Sequence, residues 1–241
     1  MSTLIVSDIH LGSRNSRADQ LALLLRSNFD RLILNGDTVN SLNFKKFTPL
    51  HWQMIDQLRS IARQRELILI RGNHDGAGKA DGFGSLHVLA TLLGVELHED
   101  YRLDAAGRRY LVLHGDQFDP TLNWPIITDV AEWGYQAVQR LNTKGAKWLK
   151  HQAKKIGGVV EFVKRSSVHH ARRQDCTGVI AGHTHFADDE WIDDVHYLNS
   201  GNWVEPTCTY ILADDQQIRL CQWEGIGLET EEEEPRVLRM A

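Results

Sequence analysis

The chain has 241 residues, 42% hydrophobic and 24% charged, which suits one large domain with its own core and room for a modest insertion. Its mild net charge of −5 gives no reason to expect a general affinity for nucleic acid, and no apolar run approaches the roughly 20 residues that span a bilayer. The early strand pattern, without a charged and then apolar leader pattern before it, predicts no secretory signal, and three irregularly spaced cysteines, Cys176, Cys208 and Cys221, predict reduced thiols in a cytoplasmic protein rather than a disulfide framework.

In chain order, a strand is predicted at Leu4-Ile5-Val6, with Asp8 and His10 directly after it. Residues 19–29 carry Leu21, Leu24 and Leu25 at helical spacing and lead into a strand at Leu32-Ile33-Leu34, followed by Gly36-Asp37. Residues 49–63 place Trp52, Ile55, Leu58, Ile61 and Ala62 on one helical face, then give way to Leu67-Ile68-Leu69-Ile70 and the segment Gly72-Asn73-His74-Asp75. A short helix is predicted over 85–93, with strands near Val95-Glu96-Leu97 and at Tyr110-Leu111-Val112-Leu113, the latter ending in His114-Gly115-Asp116.

Residues 120–175 break this rhythm. They contain no convincing strand and read as several helices jointed at Gly145 and at the Gly157-Gly158 pair. Basic positions, among them Arg140, Lys147, Lys150, Lys154 and Arg165, alternate with Trp124, Trp133, Trp148, Val160 and Phe162, which predicts a basic helical cap inserted into the domain. Gly178-Val179-Ile180-Ala181 resumes the strand pattern and ends in Gly182-His183-Thr184-His185. Strands are then expected over 190–198, 207–213 and 218–223, with a turn at Asp214-Asp215. The main domain covers 1–225, and 226–241, rich in Glu229 and Glu231 to Glu234, is expected to be a flexible acidic tail. Alternating strands and helices, with strands apolar on both faces, predict an α/β sandwich, and in such folds ligands bind outside the carboxyl ends of the strands. All five polar motifs fall there.

Their chemistry is that of metal ligands. Asp and His side chains and an Asn amide oxygen suit Mn, Fe, Zn, Co or Ni, and the lack of thiolates argues against a closed structural zinc site. Two divalent cations about 3.5–4 Å apart can activate water and stabilise the attacking and leaving oxygens at phosphorus. Asp8 and His10, two apart on an extended segment, can grip one ion together. Asp37 is the natural bridging carboxylate, Asn73 a neutral oxygen donor, and His114, His183 and His185 nitrogen donors. His74 is placed to protonate a leaving oxygen. Asp75 and Asp116 are expected to orient neighbouring rings or metal waters. The other histidines, His51, His87, His98, His151, His169, His170 and His196, are read as surface or supporting residues.

The series Asp-x-His, Gly-Asp, Gly-Asn-His-Asp, His and Gly-His-x-His resembles that of the calcineurin-like metallophosphoesterase superfamily, from Leu4 to about Trp223. The resemblance implies a four-layer sandwich of two mixed β-sheets flanked by helices. It implies one metal at Asp8, His10, Asp37 and His185 and another at Asp37, Asn73, His114 and His183, with His74 acting on the leaving group. A scaffold without activity is disfavoured, because every ligand position is kept. The segments 114–119 and 197–205, with the long basic insertion, look like the UDP-2,3-diacylglucosamine pyrophosphatase-related branch, although His74 stands where the best-known form of that enzyme has Arg. That branch implies hydrolysis of a nucleotide-linked lipid to UMP and 2,3-diacylglucosamine 1-phosphate, with manganese before iron or zinc, at the inner membrane surface. The alternative is a phosphodiesterase or phosphatase acting on nucleotides, nucleic acid or small phosphoesters. The basic cap is open to three readings: holding acyl chains and anionic headgroups, contacting a nucleic-acid backbone, or simply packing. Asn202 and Trp203 are expected on the substrate side, with packing as the equal alternative for Trp203, together with Arg140, Lys147 and Lys150.

Overall fold

A computed structural model describes residues 1–40, 44–75, 85–120, 122 and 143–225, with 85–86 and 143–156 described by backbone only. The Arg140 position and the acidic tail lie outside the described residues, as do the side chains of Lys147 and Lys150.

Strands β1 (Thr3–Val6), β2 (Arg31–Asn35) and β3 (Glu66–Ile70) are almost wholly buried, as their uninterrupted apolar runs require. Alternation sends Leu4, Val6, Leu32 and Leu34 to one face and Ile5, Ile33 and Ile68 to the other. The first face packs against helices α1 (Ala18–Leu24), α2 (Pro49–Gln64) and α3 (Ser85–Leu93). With β4 (Leu97–His98), β10 (Thr209–Ala213) and β11 (Ile218–Gln222) these strands form a six-stranded sheet of order β11-β10-β1-β2-β3-β4, parallel from β1 to β4 and antiparallel beyond β1. The second sheet has the order β5-β6-β7-β9-β8, built from Asp100–Ala105, Arg108–Leu113, Gly178–Ala181, Val195–Asn199 and Asp188–Ile192 for β5, β6, β7, β9 and β8. Ile5, Ile33, Val112, Ile180, Leu198 and Ile211 fill the space between the sheets. Helix α4 (Thr143–Arg173) covers the outer face of the second sheet through Val168 and Ala171, packed with Leu111, Val179 and Tyr197. The result is the expected four-layer sandwich of two mixed sheets between helices.

Local chemistry sets the element boundaries. Thr48 caps α2, accepting from the His51 backbone N–H while the His51 ring accepts from the Thr48 N–H, and Pro49 fills the first helical position. The helix expected over 19–29 stops at Leu24, where the amides of Arg26 and Ser27 turn back to the carbonyls of Leu23 and Leu24. Residues 190–198 form a hairpin rather than one strand, because Asp193 takes a left-handed conformation between β8 and β9. Gly157 and Gly158 are no joint. Helix α4 runs through both, and the cost of about 1 kcal/mol for each glycine is offset by the strong helix formers around them, Ala153, Lys154, Lys155 and Glu161. No helix among the described residues is long and apolar enough to cross a membrane. The three cysteines are free and buried, and burial pushes the Cys208 thiol up to about 11.

Candidate metal centre

Five chain segments leave the carboxyl ends of β1, β2, β3, β6 and β7 and meet at one rim. The β1 and β2 extensions stay paired beyond the sheet: the amides of Asp8, His10 and Leu11 donate to the carbonyls of Gly36, Asp37 and Thr38. Asp8, His10, Asp37, His183 and His185 all have positive φ, between 49° and 64°. Such backbone is sparsely populated for residues with side chains and clusters where the surroundings impose it.

The glycines of the motifs make that close approach possible. A Cβ on Gly36 would meet the His114 ring at 2.3 Å, and one on Gly72 would meet the backbone nitrogen and a carboxylate oxygen of Asp37 at 2.3 Å. Each motif thus leaves the space that a ligand of another motif occupies, which is a reason for Gly before Asp and before Asn.

Three donor groups converge: Asp8, His10 and His185; His10, Asp37 and His74; and Asp37, His114 and His183. His185 Nε2 lies 3.2 Å from Asp8 Oδ1 and 3.3 Å from His10 Nε2, while His114 Nε2 lies 3.5 Å from Asp37 Oδ2. Ligands held about 2.0–2.2 Å from one ion are separated by roughly these distances. Asp8 Oδ1, Asn73 Oδ1 and His114 Nε2 are buried without a hydrogen-bond partner, an expensive state for a polar atom unless a cation meets it. Burial, only partly offset by Asp37 and Asp8, lowers His10 to about 4, so its ring is neutral and able to ligate. Burial would also lower His114, but Asp37 and Asp8 outweigh it and raise its pKa to about 10, a measure of how strongly these carboxylates demand positive charge. For Asp37 burial alone would raise the pKa, and the imidazole of His114 brings it far below the usual range. The donors present therefore fit a pair of divalent ions sharing Asp37.

A family model for the calcineurin-like phosphoesterase superfamily domain matches residues 1–216. The chain belongs to the calcineurin-like phosphoesterase superfamily. It is a metal-dependent phosphoester hydrolase. Among solved structures similar to this phosphoesterase, Yfce, a phosphoesterase from E. coli, is 18% identical, with a TM-score of 0.51 covering 93% of this chain and 94% of that one. Vps29 from Chaetomium thermophilum is 12% identical, with a TM-score of 0.50 covering 92% and 88%. These likenesses show the shared fold. Comparison with curated proteins finds no match.

All eight sequence-predicted metal and catalytic positions of the phosphoesterase lie at this rim. His74 is half-buried, its backbone N–H donating to Asp37 Oδ1 at 2.8 Å and its ring meeting that of His10 edge-on at 4.8 Å. Burial takes Asn202 off the substrate side and gives Trp203 its packing alternative. Asn202 is buried and spends its amide on the His185 carbonyl and on the backbone N–H groups of Val204 and Glu205. Trp203 is fully buried in the core beside the first sheet, and its backbone N–H donates to the Asp8 carbonyl. Both brace the ligand loops from beneath. Asp75 also differs from expectation: its carboxylate accepts from the amides of Val39 and Gly72, so it ties two loops together rather than orienting a ring. Burial and then the nearby Asp37 raise its pKa well above the carboxylate range. Asn199, absent from the sequence-predicted set, donates to the Gly182 carbonyl and the Thr184 hydroxyl and so holds the last ligand loop. Asp119, equally absent from it, reaches His183 Nε2 at 2.8 Å. Neither belongs to the five strand-end motifs that marked the other positions.

Proposed function

We propose that this phosphoesterase cleaves a phosphoanhydride or phosphoester with Asp8, His10, Asp37 and His185 holding one divalent ion and Asp37, Asn73, His114 and His183 the other. The observation that carries this reading is the convergence of Asp8, His10 and His185 with Asp37, His114 and His183, His10 Nε2 lying 3.7 Å from Asp37 Oδ2, with Asp8 Oδ1, Asn73 Oδ1 and His114 Nε2 orphaned among them. When bound, such ions supply Lewis acidity and a nucleophile drawn from water. Asp37 fixes their spacing. His74, anchored to Asp37 through its backbone, stands at the open edge of the rim, delivers a proton to the departing oxygen and opposes the charge developing at phosphorus.

The leading substrate is UDP-2,3-diacylglucosamine, which takes up one water and yields UMP and 2,3-diacylglucosamine 1-phosphate, with manganese as the preferred ion. A groove of about 650 Å³ supports this choice. It is lined by Phe118, Phe162, Arg165, His170 and Arg173, among others, and Phe118 lies in the segment that follows His114. Apolar rings beside cationic side chains suit an acyl chain joined to an anionic headgroup. This reading puts the protein in the cytoplasm at the inner face of the membrane.

The test is hydrolysis of UDP-2,3-diacylglucosamine by purified protein with added manganese, beside bis(p-nitrophenyl) phosphate and an EDTA control. Manganese-dependent release of UMP far exceeding turnover of the generic diester is the expected result. Turnover of the generic diester alone overturns the lipid assignment and leaves the phosphodiesterase reading, with nucleotides as the next substrates.

A further inference from the structure

The imidazoles of this site need one free nitrogen each, aimed inward, and the protein fixes this differently at the two rings nearest Asp37. His114 Nδ1 lies 2.9 Å from the Asn35 carbonyl, an acceptor, so Nδ1 donates there and Nε2, 3.5 Å from Asp37 Oδ2, is the nitrogen turned inward, where an ion would replace any proton it holds. A main-chain carbonyl sets that ring. His183 is set by a side chain. Its Nε2 lies 2.8 Å from Asp119 Oδ2, and both side chains are only 10% exposed. An ionised carboxylate accepts and cannot donate, so Nε2 carries the proton and the lone pair is left on Nδ1.

The local chain is built to deliver this contact. After His114 the backbone turns through Gly115, at φ 106°, and closes one 3-10 turn over Asp116–Phe118. The Asp119 amide ends that turn on the Asp116 carbonyl, which brings its carboxylate back toward the β7 loop. From the other side, the His183 backbone N–H donates to Asp8 Oδ2 at 3.0 Å. His183 is thus held at its main chain by a ligand of one ion and at its ring by Asp119.

We infer that Asp119 is the positioning residue of the second ion site: it selects the Nε2–H form of His183 and aims Nδ1 at the ion shared with Asp37, Asn73 and His114. The inference rests on the two-ion reading of the site but on no particular substrate. A carboxylate behind a ligating imidazole fixes its orientation and raises its basicity, and its loss commonly lowers metal affinity about 10–100-fold. A tie that only fastened the connection after β6 to the β7 loop would affect folding and leave the tautomer untouched.

The experiment uses the full chain, metal-free and then titrated with manganese, and compares wild type with Asp119→Ala, Asp119→Asn and Asp119→Glu. Imidazole nitrogen spectra of the metal-free protein read the His183 tautomer, and calorimetric titration reads the two binding steps. The expected result is an Nε2–H tautomer in wild type and mixed tautomers in Asp119→Ala. In that variant one binding step should weaken about 10–100-fold while the other is kept. Asp119→Glu should recover at least part of the loss. Wild-type tautomer and affinities in Asp119→Ala overturn the inference. So does loss of a binding step with the tautomer unchanged, which makes Asp119 a direct ligand. Equal weakening of both steps, accompanied by a lower melting temperature of the metal-free variant, overturns it in favour of a purely structural tie. None of these readouts requires turnover, so failure of the lipid assignment leaves the outcome unaffected.

Discussion

Among the described residues, one cluster of histidine and aspartate lies in the second sheet and another at the metal rim, and they differ in how fully their polar atoms are answered. In the second sheet, Tyr110, Gly178 and His196 share one row across β6, β7 and β9. His196 Nδ1 meets the Tyr110 hydroxyl at 2.8 Å, His196 Nε2 meets Asp189 at 2.8 Å, and Trp191 stacks on the ring at 4.6 Å. Tyr110 reaches across because a Cβ on Gly178 would come within 2.3 Å of its ring. At the rim the same residue types leave Asp8 Oδ1, His10 Nδ1 and His114 Nε2 unanswered by protein. Residue type therefore does not separate a structural histidine from a ligand. Saturation does: a closed network stabilises the sheet, while an open one holds its cost in reserve for a cation.

The sharpest way to break this comparison is Asp37→Ala. Metal-dependent hydrolysis should fall more than about a thousandfold, since each 1.4 kcal/mol of lost transition-state stabilisation costs about tenfold and the ions supply several; steady-state turnover with saturating manganese checks it. His74→Ala should lower kcat by about 10²–10⁴-fold with both ions still bound, as counted by metal analysis of the same sample. Loss of an ion there would make His74 a ligand. Manganese at about a hundred times its dissociation constant should raise the wild-type melting temperature by roughly 5–10 °C, and the rise should vanish in Asp37→Ala. A rise of the same size in both proteins means that the ion binds elsewhere.

The saturated cluster should behave in the opposite way. Tyr110→Phe leaves a buried His196 nitrogen without its partner and should cost about 1–3 kcal/mol in denaturant unfolding, equally with manganese and with EDTA, at unchanged kcat. The smallest effect concerns pH. His51 accepts the Thr48 and Gly12 amides on Nδ1 and burial lowers its pKa, so folding favours the neutral ring. Its contribution is present above the ordinary histidine value near 6.5 and is lost as pH falls below it. Melting curves between pH 7 and 5 should therefore fall more steeply for wild type than for His51→Gln.

Much of the fold could be read in advance, because a strand buried on both faces must be apolar throughout. Strand β5 escaped notice for the converse reason: Asp100–Ala105 is half-exposed, with Leu103 and Ala105 alone fully buried. The apolar positions of α4 after Gly158 read equally well as a cap or as cover for the sheet, since a sequence shows the width of an apolar stripe and not what lies against it. Val163, Val168 and Ala171 are buried, so this part of the helix covers the second sheet, while Phe162 remains exposed beside the groove.

At the site, the sequence by itself determined the candidate ligands, because Asp, His and Asn at the ends of buried apolar strands, with Asp37, Asn73 and His183 directly after a glycine, have little other reason to stand there. Tertiary structure decided what surrounds that set. Asn202 and Trp203 follow the last ligand motif in the chain, and only packing showed that they face inward beneath the Asp8 and His185 loops. Asp119 and His183 are 64 residues apart, and no local pattern joins them. The physical reason is one of range. Burial and backbone geometry leave a periodic record in the chain, whereas a hydrogen bond between distant side chains leaves none and exists only once the sheets have brought its two ends together.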